Sequence, residues 1–465
     1  MNELRGEKCG VFGVYGKGLD VARSTYFGLY ALQHRGQESS GIAVADGKKI
    51  TCYKHMGLVA QVFSEDVIAG LSGYLAIGHN RYSTAGGSKL EHAQPLIAED
   101  ESFALAHNGN VPSTVALEEY LRAHTIDPSS FSDSRMIVEA IATAHKNTRD
   151  IEEAIREVYP LMTGAFSILI ATKDKIIAIR DQCGIRPLSI AQLGEGWVVS
   201  SETCAMHTVG ATFMRDVTPG EMVVIDGKGL RALQLAPANQ KLDVFEFVYF
   251  ARPDSELLGR SVYEVRRGFG ARLAREYRIE ADVIIPVPET AIPVAIGYSR
   301  ESNIPLEMGL MKNRYIHRTF IQPEQRLREE SVRLKLTPIP KIIRGKRVIV
   351  IDDSIVRGTT SKQIVKMLFG AGAREVHFVV SSPPVKFPDF YGIDTPKQGN
   401  LLAASKTVPE MQRFLGATTL QFLSYQGLVD SVGVPELHLN TSCFTGIYPI
   451  DLKERVKEVR YAKGV

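Results

Sequence analysis

The chain has 465 residues, 44% apolar and 23% charged, a globular composition too long for one ordinary core and so predicting two domains or three. Its 55 Lys and Arg against 52 Asp and Glu leave a net charge of +3, which argues against a nucleic-acid tail or a basic membrane face. Five cysteines without a CxxC pair argue against a zinc ribbon or a disulfide framework, and MNELRGEK lacks the apolar run of a signal peptide, so a cytoplasmic location is expected. No stretch approaches the roughly 20 apolar residues of a membrane span.

From residue 9 to about 235 the chain reads as short apolar or alternating strands: GVFGVY, GIAVAD, YLAIGHNRYS, FALAHNGNV, AFSILIAT, KIIAIRD, WVVSSE and EMVVIDG. Helical periodicity interrupts them at Ser132 to His145 and Ile151 to Leu161. The prediction is an α+β domain of stacked sheets with outer helices. Around LQLAPANQKLD the periodicity lapses, and Pro237 marks a linker between a first domain over 9–236 and a second over 243–465, the latter with a C-terminal extension.

Beyond the linker, helix and strand alternate. SVYEVRRGFGARLAREY is an amphipathic helix and SKQIVKMLFGAGA a second one closed by glycine. ADVIIPVP, KRVIVIDDS and EVHFVVSSPP are buried strands. This is the pattern of an α/β domain with a parallel sheet and crossover helices. The Arg- and Lys-rich stretch 312–340 has no sustained apolar stripe and reads as a mobile loop.

VIVIDDSIVRGTTSKQIV is the most specific string. An apolar strand runs into Asp352 and Asp353, then a polar turn with Gly358, then Thr359, Thr360 and Ser361 at a helix start. Ligands of open parallel sheets bind at the carboxyl ends of strands. Backbone N–H groups and hydroxyls at a helix start suit a phosphate, and paired carboxylates suit ribose hydroxyls or a divalent cation. Neither GxxxxGK[ST] nor a strand-following GxGxxG is present. The string resembles the phosphoribosyl pyrophosphate signature of type I phosphoribosyltransferases. That resemblance implies that Asp352 and Asp353 handle the ribose hydroxyls and Mg²⁺, and that Ser354 to Ser361 hold the 5-phosphate. It also implies a basic loop closing over the pyrophosphate, with Arg318 and Lys335 as candidates, and a hydroxyl near Mg²⁺ from Thr290 in PVPET.

In MNELRGEKCGVFGVYG, Cys9 is either an ordinary buried thiol or a nucleophile freed by removal of residues 1–8. A freed α-amino group, with an ordinary pKa of about 7.7–8.0, can act as base for its own thiol. Arg81 in HNRYSTAGGS suits an α-carboxylate, Asp133 in SDS an α-ammonium, and Asn108 with Gly109 in HNGNV a developing oxyanion. Taken singly each is weak, since an Asn-Gly is commonly a turn and a buried cysteine commonly an inert hydrophobe. In succession, CGVFG, LQHRGQESSGIA, GHNRYSTAGG, AHNGN and SDS resemble the class II, N-terminal-nucleophile glutamine amidotransferases. This implies that Cys9 is nucleophile and base, that Arg81 and Asp133 bind glutamine, and that Asn108 and Gly109 form the oxyanion hole. Cys52, Cys183 and Cys204 match nothing in that pattern and read as core thiols.

A glutaminase followed by a phosphoribosyl pyrophosphate site resembles the glutamine phosphoribosylpyrophosphate amidotransferase family, as do VYFARPDS, IPVPET, KNRYIHRTFI and CFTGIYP. The resemblance implies synthesis of 5-phosphoribosylamine, glutamate and pyrophosphate, the committed step of purine synthesis. It further implies purine-nucleotide inhibition and a homotetramer. Ammonia released to neutral water would mostly protonate, so a sheltered path between the sites is expected. Part of this family holds a 4Fe–4S cluster on four cysteines. At those places this chain has Asp243, Asp389, Asn440 and Cys443, and one thiolate cannot hold such a cluster, so no iron is predicted. Two rivals are a phosphoribosyl pyrophosphate-sensing repressor, which lacks a DNA-binding signature here, and a glutaminase joined to a sugar-phosphate synthase, which leaves VIVIDDSIVRGTT unexplained.

Overall fold

The computed structural model describes residues 9–81, 89–313, 335–392, 395 and 397–460. The first domain is built from β1 (Gly10–Tyr15), β2 (Ser39–Ala45), β3 (Ile50–Met56), β4 (Leu75–Arg81), β5 (Leu96–Ile97), β6 (Phe103–Ser113), β7 (Thr163–Thr172), β8 (Ile176–Arg180), β9 (Ser189–Leu193), β10 (Gly196–Ser200), β11 (Thr212–Asp216), β12 (Glu221–Asp226) and β13 (Gly229–Gln234). They form a seven-stranded sheet, in order β11-β9-β10-β1-β4-β2-β3, and a six-stranded sheet, in order β13-β12-β8-β7-β6-β5. Neighbouring strands in both sheets are antiparallel.

Inner-face residues of the two sheets meet, with Val11, Ala43 and Ile77 against Ala104, Leu169 and Val223. The outer faces are covered by helices. Val21–Ala31 packs Leu29 onto Phe12 and Val14 of the first sheet. On the second, Asp133–Thr148 and Ile151–Val158 pack Ile137, Ile141 and Ile155 onto Phe166, Ile168 and Ile170. Central strands buried on both faces explain the near-continuous apolar runs, each buried Leu or Ile contributing about 1.5–3 kcal/mol. Ser132 is the cap of Asp133–Thr148, accepting from Arg135 N, so the helix starts one residue later than its periodicity suggests.

After β13 the chain crosses with Asn239 N donating to Gln182 O and Lys241 N to Cys183 O. Leu242–Asp243 then pairs in parallel with Leu439–Asn440. The second domain carries a four-stranded parallel sheet, in order Val283–Pro286, Arg347–Asp352, Glu375–Val380, Thr419–Phe422. Helices Val262–Glu276 and Ile292–Ser302 cover one face, and Thr359–Gly370 and Val408–Leu415 the other.

The loop expected over 312–340 is narrower than its composition suggests. Leu310–Lys312 pairs antiparallel with Leu336–Pro338, because Leu310 and Leu336 are buried in the core of the sheet. Pro340–Ile343 adds a helical turn. Arg318 lies outside the described residues, as does the leader 1–8. No helix among the described residues is long and apolar enough to cross a membrane.

The C-terminal segment returns to the first domain. Phe390, Tyr391, Leu452 and Val459 share a buried cluster with Ala165, Cys183 and Ile185. Asn110 Nδ2 donates to Phe390 O at 2.7 Å, and Ser113 Oγ to Glu454 Oε2 at 3.0 Å.

Candidate active sites

Cys9 is buried and immediately precedes β1. The register Gly10↔Asn80 carries it to the level of Arg81, the last residue of β4. Arg81 is also buried, with Nη1 3.1 Å from Glu38 Oε1, so its long side chain is held from the glutamic side. Asn108 and Gly109 lie on β6, opposite Ser167 and Phe166 of β7. Gly109 has φ +153, and a Cβ there would stand 2.0 Å from Ala165 O, so only glycine lets the two strands approach this closely.

Asp133 enters from the start of its helix. Its carboxylate accepts from Val111 N at 3.2 Å and from Ser134 N at 2.6 Å, which fixes it beside β6. Arg81, Asp133, Gln94 and Asn110 line one cavity of about 230 Å³, which brings a guanidinium and a carboxylate to a single enclosure. Beneath it, Ser134 Oγ is shared by Gln94 Nε2 at 3.2 Å and His107 Nδ1 at 2.9 Å, while Gln94 Oε1 accepts from His107 N. His79 Nε2 donates to His107 O at 3.0 Å. Burial pushes His79 down to about 3 and lowers His107 as well, so both rings are neutral.

Glu38, Gln94, Ser134 and Ser201 join this site without having been singled out in the sequence. Glu38 and Ser134 stand inside quoted motifs, whereas Gln94 carries no local signal. Ser201 follows a strand end and accepts from both Val11 N and Asn108 Nδ2. Cys52 and Cys183 are pushed up by burial to about 11 and about 12, and Cys204 is raised too, as befits unreactive thiols.

In the second domain, Asp352 ends its strand, with Ser381 N donating to its carbonyl. Burial and the neighbouring Asp353 raise the Asp352 carboxyl well above its ordinary range. Asp353 N donates to Asp352 Oδ1, and Ser354 Oγ to Asp353 Oδ1 at 2.7 Å, so that hydroxyl serves the carboxylate. Gly358 then takes φ +76 as the cap of Thr359–Gly370, the left-handed conformation that glycine adopts without strain. The N–H groups of Thr359, Thr360 and Ser361 belong to the first helical turn, where no intrahelical acceptor exists. Thr359 and Thr360 are exposed and Ser361 is buried. Thr290 sits in the turn after the adjacent strand, where Val287 N donates to Ile351 O. Lys335 stands at the base of the two-stranded ladder, its carbonyl accepting from Asn313 N.

Among the described residues no group of three or more His, Cys, Asp or Glu side chains is arranged to hold a metal. The Asp352–Asp353 pair nonetheless fits Mg²⁺, which takes hard oxygens and is commonly bound by one or two carboxylates plus substrate oxygens. Asp243 and Asn440 are neighbours across a parallel ladder, and Asp243 interacts electrostatically with Asp389 and Cys443. Burial first, then Asp389, raises Asp243, whose Oδ2 is buried without a hydrogen bond. Two carboxyls, an amide and one thiol do not fit a 4Fe–4S cluster.

The domains meet through buried charge. Arg35 donates both terminal nitrogens to Glu246 at 2.7–3.4 Å, and Arg186 Nη1 lies 3.1 Å from the same carboxylate. Glu202 Oε1 is 2.6 Å from His34 Nε2 and 3.1 Å from Arg35 Nε.

Fold and sites together define a glutamine amidotransferase domain joined to a phosphoribosyltransferase domain, and the models of those two families match residues 79–208 and 260–383. The amidophosphoribosyltransferase of Mycobacterium tuberculosis is 47% identical over 458 residues, spanning 96% of this chain and 87% of that one. The Bacillus subtilis enzyme of the same name is 44% identical, spanning 97% and 96%. A solved structure of the B. subtilis glutamine phosphoribosylpyrophosphate amidotransferase, complexed with ADP and GMP, superposes with TM-score 0.89 at 42% identity, covering 96% of this chain and 98% of that one. The chain belongs to the amidophosphoribosyltransferase family.

Proposed function

We propose that the two sites divide the family's reaction between them, Cys9 releasing ammonia from glutamine and the Asp352–Asp353 turn presenting phosphoribosyl pyrophosphate to it. The activity is glutamine-dependent amidotransfer, giving 5-phosphoribosylamine, glutamate and pyrophosphate at the first committed step of purine synthesis. The observation that carries the residue assignment is the cavity shared by Arg81 and Asp133 beside β6, one clamp of each sign.

Glutamine lies with its α-carboxylate on Arg81 and its α-ammonium on Asp133. The Cys9 sulfur attacks the side-chain amide, its proton passing to the α-amino group once residues 1–8 are removed. The oxyanion forms against Asn108 Nδ2 and Gly109 N. Ammonia leaves as the C–N bond breaks, taking the proton, and water hydrolyses the thioester to glutamate.

In the second site the first-turn N–H groups at Thr359, Thr360 and Ser361 take the 5-phosphate, aided by the Gly358 turn. Asp352 and Asp353 accept from the ribose hydroxyls. With Thr290 they would hold Mg²⁺, which when bound would neutralise charge on the departing pyrophosphate. Lys335, and Arg318 outside the described residues, are the basic candidates for contact with that leaving group. The ADP and GMP bound to the B. subtilis protein support purine nucleotides as inhibitors here. A homotetramer without an iron–sulfur cluster completes the reading, the latter because Asp243, Asp389 and Asn440 stand where thiolates are needed.

Cys9→Ala is expected to abolish pyrophosphate release with glutamine and to retain it with ammonia, with the active wild-type chain having the mass of one that begins at Cys9. Asp353→Asn is expected to cripple both reactions. A Cys9→Ala protein that still used glutamine would overturn the assignment.

A further inference from the structure

The glutamine site and the second domain meet at Ser201–Glu202, directly after β10. Both side chains are fully buried, and neither has a part in the chemistry above. Ser201 N donates to Val11 O at 3.0 Å, and Ser201 Oγ accepts from Val11 N at 3.0 Å and Asn108 Nδ2 at 3.3 Å. One serine thus ties the strand that follows Cys9 to the amide that faces the oxyanion. An asparagine amide nitrogen carries two N–H groups, so the bond to Ser201 fixes the plane and leaves the second for substrate.

Glu202 holds the next step of the connection. Its Oε2 accepts from Arg252 N at 2.9 Å and Ser255 Oγ at 2.7 Å, both from the second domain. Its Oε1 meets His34 and Arg35 of the first. Glu256 N donates to Thr203 Oγ1 at 2.8 Å, so residues 202 and 203 grip one run of the second domain. The residues just before that run are fastened by Arg266, whose Nε and Nη2 donate to Phe247 O at 2.8 Å and Ala251 O at 2.9 Å. Arg266 belongs to the helix Val262–Glu276, and its charge interacts with Asp353.

We infer that Ser201 and Glu202 are positioning residues for glutamine hydrolysis: Ser201 holds the Asn108 amide at the oxyanion, and Glu202 sets Ser201 by its grip on Arg252 and Ser255. The inference rests on the reading of Asn108 as an oxyanion donor. Its consequence is that the first site is complete only when the second domain's segment is seated.

The test is steady-state kinetics of full-length Ser201→Ala, Glu202→Gln, Ser255→Ala and Asn108→Ala, with glutamine and separately with ammonia. Ser201→Ala is expected to lower kcat with glutamine by roughly 10–100-fold, less than removal of an oxyanion donor itself, with KM for glutamine and the ammonia rate within about twofold. Ser255→Ala is expected to lower the same kcat several-fold and to add nothing to Ser201→Ala, since residues acting as one unit are not additive. A rise in KM alone, additive losses, or unchanged kcat in Ser201→Ala and Ser255→Ala beside a crippled Asn108→Ala would overturn the inference and leave the oxyanion reading standing. An unimpaired Asn108→Ala would overturn the oxyanion reading itself. Should Glu202→Gln lose ammonia activity, and so its fold, the two milder variants decide.

Discussion

Arg81 is buried against Glu38, and its planar fork rather than its charge alone suits it to the proposed grip on an α-carboxylate. Arg81→Lys is therefore expected to raise KM for glutamine by roughly 10–100-fold while leaving ammonia-dependent synthesis unchanged, a split that initial-rate kinetics would read directly. His79 makes a second prediction. Its folded-state pKa lies near 3, below the ordinary 6.5, so it contributes stability above pH 6.5 that is lost as pH falls toward 3. By pH 5 the loss amounts to roughly 2 kcal/mol, and a His79→Gln chain should show a shallower dependence of its urea midpoint between pH 7 and 5. Cys9, Arg81, Asn108 and Asp133 could be picked out of the sequence as candidates because each sits in a distinctive local string and the strings follow a fixed order. Gln94, Ser201 and Glu202 were not, since their roles come from partners far along the chain, such as Asn108 for Ser201.

At the scale of elements, the apolar runs announced β1, β2, β4, β6, β7, β8, β10, β12 and three of the four strands of the parallel sheet, but not the short interior strand β9. Edge strands escaped notice. β3 and β13 are largely half-buried or exposed, and Thr419–Phe422 carries Thr and Gln at the sheet margin, so none reads as a hydrophobic run. At the margins of the stretch read as a loop over 312–340, the apolar Leu310 and Leu336 suffice to pin a short ladder that the charged composition hid. The turn from Asp352 to Thr359 is the element whose geometry is most demanding. A Cβ on Gly358 would stand 2.6 Å from Leu402 Cδ2, in addition to the left-handed backbone. Gly358→Ala should destabilise the chain by about 1–2 kcal/mol and raise KM for phosphoribosyl pyrophosphate equally with glutamine or ammonia as nitrogen donor. A change confined to the glutamine reaction would contradict the placement of the phosphate there.

The whole molecule is held together by charges that composition could not have located, since Arg35, Arg186 and Glu246 come from three separated segments. Glu246 is fully buried between two guanidiniums. Removing it strands them, and Glu246→Ala is expected to cost about 3–5 kcal/mol and to split a single thermal transition into two. Calorimetry would see the split, and a single undisturbed peak would show that the domains do not depend on this contact. Metal analysis belongs at this scale too. Purified under strict exclusion of air, the protein should contain no stoichiometric iron or acid-labile sulfide, because one thiol among Asp243, Asp389, Asn440 and Cys443 cannot retain a cluster.

Phe390, Tyr391, Leu452 and Val459 finish a core that Ala165, Cys183 and Ile185 begin. On the ribosome these halves are separated in time: at about 5–20 residues per second, Ile185 emerges roughly 14–55 s before Val459. The glutamine-splitting half therefore waits, incompletely sealed, until the half that consumes its ammonia has been made. A nascent first domain should therefore leave Ala165, Cys183 and Ile185 more open to solvent than the finished chain does.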